Sequence, residues 1–142
     1  MHLSPGEAQF AFQWFLNRLI PDQVEKLDLA IYVRKMDIDS GRCWAYQDHP
    51  RKFIVVVNSK NNYHKMISSI AHECVHIEQY VTGKLKKIWR DDRAKHALWR
   101  KKIFVETYEG RTYRDSPWEK DARVREKKLM CAYLRFKKRS ST

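Results

Sequence analysis

Residues 63–83 read YHKMISSIAHECVHIEQYVTG, and the spacing of their apolar side chains decides the central element of the fold. Ile67, Ile70, Ala71, Cys74, Ile77 and Val81 recur at the three- and four-residue intervals of one helical face. Gly83 supplies a stop signal. The pattern predicts a helix from about Tyr63 to Val81 that packs on a core through that face. Ser69, His72, His76 and Tyr80 then fall together on the opposite side.

The same helix carries His72-Glu73-Cys74-Val75-His76, an HExxH motif. Histidines four residues apart lie one turn apart, so both imidazoles can reach a single ion. Zinc accepts imidazole nitrogen, and a catalytic zinc keeps one coordination position for water. Glu73, beside the two ligands, is placed to take a proton from that water as general base. Five-residue patterns with three fixed positions also arise by chance in helices that merely carry two surface histidines. The mid-helix position, the separation of the histidines from the apolar face and a ligand candidate downstream favour the zinc reading.

Two residues can close the site. Glu119, in Ser116-Pro117-Trp118-Glu119-Lys120-Asp121-Ala122, stands in the first turn of a predicted helix whose small Ala122 permits close packing. Two histidines and a glutamate form a catalytic zinc set, although acidic residues at a helix start also simply favour the helix dipole. His96, in Ala94-Lys95-His96-Ala97-Leu98-Trp99, would instead give a three-histidine site, or be an exposed histidine of a basic stretch. Glu119 is favoured because its helix onset is defined.

HECVH followed by PWEKDA resembles the gluzincin-type metallopeptidases, above all the short single-domain forms of bacteria and their phages; the likeness spans about Tyr63 to Lys128. It implies that His72, His76 and Glu119 are zinc ligands, that Glu73 is catalytic, and that the fold is a minimal zincin-like one. Many gluzincins carry Asp four residues after the ligand Glu, where this chain has Arg123, so the group that would orient a ligand histidine is not identified by the motif. A weaker likeness is to the SprT/Spartan-like zinc peptidases, which use three histidines; the spacing around His96 fits them less well. A metzincin is excluded, because Gln79 and Thr82 stand where its Gly and third His would continue the pattern.

Outside the motifs, Ser4-Pro5-Gly6-Glu7 announces a first helix, with Phe10, Trp14, Phe15 and Leu16 as its apolar stripe and Pro21 as its end. Leu27 to Met36, Cys43 to Gln47 and Phe53 to Asn58 read as strands, the last two joined across Asp48-His49-Pro50. The Ile-Val-Val-Val run at 54–57 is the central-strand candidate. Lys84 to Lys102 reads as an irregular basic stretch, and Ile103 to Tyr113, with Gly110 as turn residue, as a hairpin or extended edge. Pro117 opens a last helix to about Lys137, with Ala122, Leu129, Tyr133 and Phe136 inward and 138–142 a frayed basic tail. The expected architecture is one α+β domain over 1–142: an N-terminal helix, a small, mainly antiparallel sheet, the HExxH helix and a C-terminal ligand helix.

Twenty-nine Lys and Arg against 17 Asp and Glu give a formal net charge of +12. That excess points to an anionic partner, nucleic acid or an acidic protein, beyond what solubility requires. The Lys84 to Lys102 segment interleaves its cations with Trp89 and Trp99, a combination that suits single-stranded nucleic acid unless the indoles pack in the core. Cys43, Cys74 and Cys131 are odd in number and far apart, which argues for a reducing compartment. With no apolar run near the ~20 residues a membrane span needs and no leader pattern, a cytoplasmic protein without membrane contact is expected. The functional expectation is a zinc metallopeptidase acting on protein or peptide, the metal being Zn2+ on His72, His76 and Glu119. Its rival is a nucleic-acid- or protein-binding module on a catalytically weak zincin scaffold. Tyr108, Tyr113, Arg114 and His96 are all candidates to stabilise the oxyanion.

Overall fold

The computed structural model describes residues 3–88, 95–106 and 116–140. The first helix, α1 (Pro5–Leu19), begins as its sequence dictates: the Ser4 hydroxyl accepts from the Glu7 N–H at 3.1 Å and Pro5 opens the first turn. Ala8, Ala11, Phe12, Phe15 and Leu16 are buried. Phe10, expected on that stripe, is 47% exposed, because it flanks the arc that Ala8 and Phe12 occupy; its ring stacks on Phe136 at 6.2 Å.

Three strands follow: β1 (Asp28–Arg34), β2 (Gly41–Ala45) and β3 (Lys52–Asn58). They form a sheet in the order β1-β3-β2. The Ile-Val-Val-Val strand is central, as its composition predicts, with Phe53, Val55 and Val57 buried. β2 is antiparallel to β3, whereas β1 runs parallel to it, so this sheet is mixed. The helix α2 (Tyr63–Val81) starts where Asn62 accepts from the Lys65 N–H at 2.9 Å. Ile67, Ile70, Ala71, Cys74 and Ile77 are fully buried against α1 and the sheet, and Val81 is half-buried.

The expectation of a single sheet is corrected by the basic stretch. Instead of being irregular, it contributes β4 (Leu85–Ile88) and β5 (Lys95–Trp99), which form a second, antiparallel sheet with β6 (Lys102–Glu106). Alternation explains it: Leu85, Ala97 and Trp99 turn to one buried face, while Lys86 stays in water. The β5–β6 hairpin turns at Arg100 and Lys101, both in the left-handed region at φ 48° and 73°; Gly110, the expected turn of the 103–113 stretch, lies outside the described residues. Trp99 packs against Trp118 and Phe104; Trp89 lies outside the described residues.

The last helix, α3 (Pro117–Ser140), reaches three residues further than expected, so 138–140 continue the helix instead of fraying. Ala122, Leu129 and Tyr133 are buried, but Phe136 is 36% exposed beside Phe10 and Trp14. One carboxylate oxygen of Glu7 accepts from Tyr63 at 2.5 Å and from Tyr133 at 2.9 Å, tying α1, α2 and α3 together. These shared bonds and burial push both phenols above their ordinary range, burial first. Among the described residues the architecture is α+β, with three α-helices and two small sheets, and no helix is long and apolar enough to cross a membrane. Phe12 is fully buried in the main core, so Phe12→Ala is expected to lower stability by about 3–5 kcal/mol in a denaturant titration.

Candidate metal centre

α2 and the N-terminal turns of α3 cross so that three ligand atoms meet. His72 Nε2 and His76 Nε2 stand 3.2 Å apart, and the Glu119 carboxylate lies 3.0 Å from the first and 2.8 Å from the second. The four-residue spacing puts both imidazoles on one face of α2. Ala122, fully buried, lets α3 approach closely enough for Glu119 to reach them. Ligands at zinc's bonding distance and tetrahedral angles stand roughly 3.3 Å apart. The cluster matches that shape with a modest contraction, and it could hold a metal ion.

The other nitrogen of each ring is equally determined. His76 Nδ1 donates to Gln79 Oε1 at 2.8 Å. The orientation of that amide is set by its own donors, since Gln79 Nε2 donates to Trp118 O and to Asp121 Oδ2, both at 2.9 Å. Asp121 in turn pairs with Arg125 at 2.7 Å, and Arg125 also pairs with the buried Glu78. His72 Nδ1 donates to Glu126 Oε1 at 3.1 Å, while Ser68 Oγ donates to the second Glu126 oxygen at 2.5 Å. With hydrogen on both Nδ1 atoms, the lone pairs of two neutral imidazoles and a carboxylate converge on one point. That is a donor set for a cation.

Charge in the cluster follows from this crowding. Burial works against a protonated His72, yet hydrogen bonds to Glu119 and Glu126 and the field of Glu73 outweigh it and push the imidazole up to about 10. Burial likewise opposes a charged His76, and Glu119 nevertheless raises it. Burial opposes the Glu119 carboxylate too, but the two histidines hold it well below the usual carboxylate range. A metal ion entering the cluster therefore has to displace a proton. Glu73 is raised by burial, against the field of the two imidazoles. Its carboxylate faces Gly41 of β2, where an added Cβ would stand 3.3 Å from Glu73 Oε2 and 3.4 Å from Val56 O. Glycine lets the strand close over the acid.

The site opens into a cleft of about 850 Å³ between α2, α3 and the β2 strand. Glu73, His72, His76 and Glu119 line it, with Arg42, Lys65, Lys87 and Arg123 among the cations around it. Arg123 lines the cleft without a bond to either histidine in view, and the hydrogen bond to His72 Nδ1 comes from Glu126. Neither Glu126 nor Gln79 was singled out by sequence reading. The available signal was position: Glu126 is two helical turns beyond Glu119, and Gln79 is three residues beyond His76. Of the other site candidates, His96 belongs to β5, with its side chain outside the described residues, and Tyr108, Tyr113 and Arg114 lie outside them altogether. No family model, curated protein or solved structure matches the chain.

If the Glu126 bond orients His72 toward a metal, Glu126→Gln is expected to weaken zinc binding by roughly 10–100-fold in competition with a chromogenic chelator. Unchanged affinity would show that the bond only braces α2 against α3.

Proposed function

We propose that this chain is a zinc-dependent metallopeptidase with a minimal zincin-like fold. His72, His76 and Glu119 would hold the metal, and Glu73 would act as general base. The observation that carries the reading is the convergence of two Nε2 atoms and one carboxylate while both Nδ1 atoms are engaged by Glu126 and Gln79. When bound, zinc supplies a Lewis acid for the peptide carbonyl and lowers the pKa of a coordinated water.

The chain's own residues do the rest. Glu73, one residue from His72 and buried at the cleft wall, accepts the proton of the attacking water and passes it to the leaving amine. Burial raises its proton affinity, which suits a group that must first take a proton and then return it. Glu126 and Gln79 hold the imidazoles in the tautomer that leaves Nε2 for the metal. β2 is an edge strand of its sheet and lines the cleft, so an extended peptide can pair along it and present its carbonyl beside Glu73. Incubation of the zinc-loaded protein with an unfolded acidic protein such as casein, with and without a chelator, tests the reading. Chelator-sensitive cleavage is expected; zinc uptake without cleavage of any peptide would favour the binding-module alternative.

A further inference from the structure

The first sheet has a second face that the core does not use. Along each strand, alternate residues such as Ile31, Val55 and Cys43 pack inward. The residues between them point away, and the register aligns them in rows: Tyr32 beside Val56 beside Arg42, and Ala30 beside Ile54 beside Trp44. Tyr46 and Lys52 extend the surface by one row at the end of β2. Tyr32 is 42% and Trp44 39% exposed, and Tyr46 is half-buried.

Each of these three rings has its own cation. The Arg34 guanidinium carbon lies 4.6 Å from the Tyr32 ring centroid, that of Arg42 lies 5.5 Å from Trp44, and Lys52 Nζ lies 5.1 Å from Tyr46. We infer that this face binds single-stranded nucleic acid, with bases stacked on Trp44, Tyr32 and Tyr46 and phosphates neutralised by Arg34, Arg42 and Lys52. An open sheet with exposed aromatic rings is a stacking platform for unpaired bases, and adjacent cations serve the backbone. Tyr46 follows the last residue of β2 and stands two residues beyond Trp44, so neighbouring bases can use both.

Charge selects this occupant over the others. A second copy would bring another +12 against the face and be repelled, whereas a polyanion is attracted. An acidic protein would meet the cations but carries no regular array of flat groups to set against the three rings. The local acids are few: Asp39 pairs with Arg42 at 2.7 Å on the surface, where a phosphate can compete, and Asp28 lies in the Lys52 row. The surface differs from the Lys84 to Lys102 segment, in which Trp99 is buried and unable to stack on a base.

The test is fluorescence anisotropy of a short labelled oligothymidylate, with oligouridylate and duplex DNA of the same length alongside, and it needs neither zinc nor hydrolysis. Binding to the single strands that weakens steadily with salt is expected. Trp44→Ala and Tyr32→Ala, checked for native circular dichroism, should each weaken it by roughly tenfold, and Tyr32→Phe should retain it. The double variant Lys127→Ala/Lys128→Ala, on the exposed side of α3, should change it by less than about threefold. Absence of binding overturns the inference, as does duplex binding indifferent to Trp44, or a loss confined to the α3 variant. Self-association that Trp44→Ala disperses would assign the face to a second copy and overturn it equally.

Discussion

Glu73→Gln is expected to lower peptide hydrolysis by roughly 10²–10⁴-fold while zinc content and the unfolding midpoint stay unchanged. The substitution keeps the shape of a side chain that is 6% exposed and wedged between α2 and Gly41. It removes only the ability to accept a proton. Burial of the carboxylate is itself costly, which the raised proton affinity of Glu73 records, so an uncharged amide costs the fold little. Cleavage is measured on an unfolded protein substrate, zinc by elemental analysis, and stability by denaturant titration. Undiminished hydrolysis by the variant would sink the catalytic assignment. Loss of zinc together with activity would move Glu73 from proton transfer to support of the metal cluster.

The second large effect is on the metal. His76→Ala removes one of the three groups proposed to hold the metal and leaves Gln79 Oε1 and Glu119 Oε1 without the ring they face. Purified His76→Ala protein is expected to contain almost no zinc, a loss beyond the ~10–100-fold that removal of an outer partner produces. Glu119→Ala should behave the same way, and His96→Ala should retain stoichiometric zinc. If His96→Ala lost the metal and Glu119→Ala kept it, the closing ligand would be the histidine and the proposed gluzincin-like set would be wrong. If wild-type protein bound no zinc at all, the cluster would be a hydrogen-bonded brace between α2 and α3.

How far the residues alone reach can be judged helix by helix. Periodicity made the α2 helix legible in its extent and its core-facing residues, but the side carrying Ser69 and His76, expected opposite the core, is buried too. The capped start of α1 and the central β3 strand were legible for the same reason, since each is a local preference. The Lys84 to Lys102 segment was misread as irregular because its charges mask a short period-two pattern, and strands that short are held by partners distant in sequence. Phe10 and Phe136 were assigned inward because both are apolar, yet they meet each other at the margin of the core. β1 was read as a strand, but its parallel pairing with β3 depends on how the chain crosses the sheet, and no local signal encodes that.

By itself, then, the sequence determined the HExxH helix, its core-facing residues, and Glu119 as the favoured third ligand, because helical spacing turns residue numbers directly into geometry. Tertiary structure alone decided that Glu119 meets both imidazoles, that Glu126 and Gln79 bind their far nitrogens, and that Gly41 lets β2 close on Glu73. Apart from the His76–Gln79 bond, which lies within α2, those contacts join residues tens of positions apart, and only the packing angle of α3 on α2 and the register of β2 on β3 bring them together. The aromatic and cationic face of the first sheet belongs to the same category. Tyr32 lies on β1 and Trp44 on β2, and the pairing of both strands with β3 is what puts them on one face.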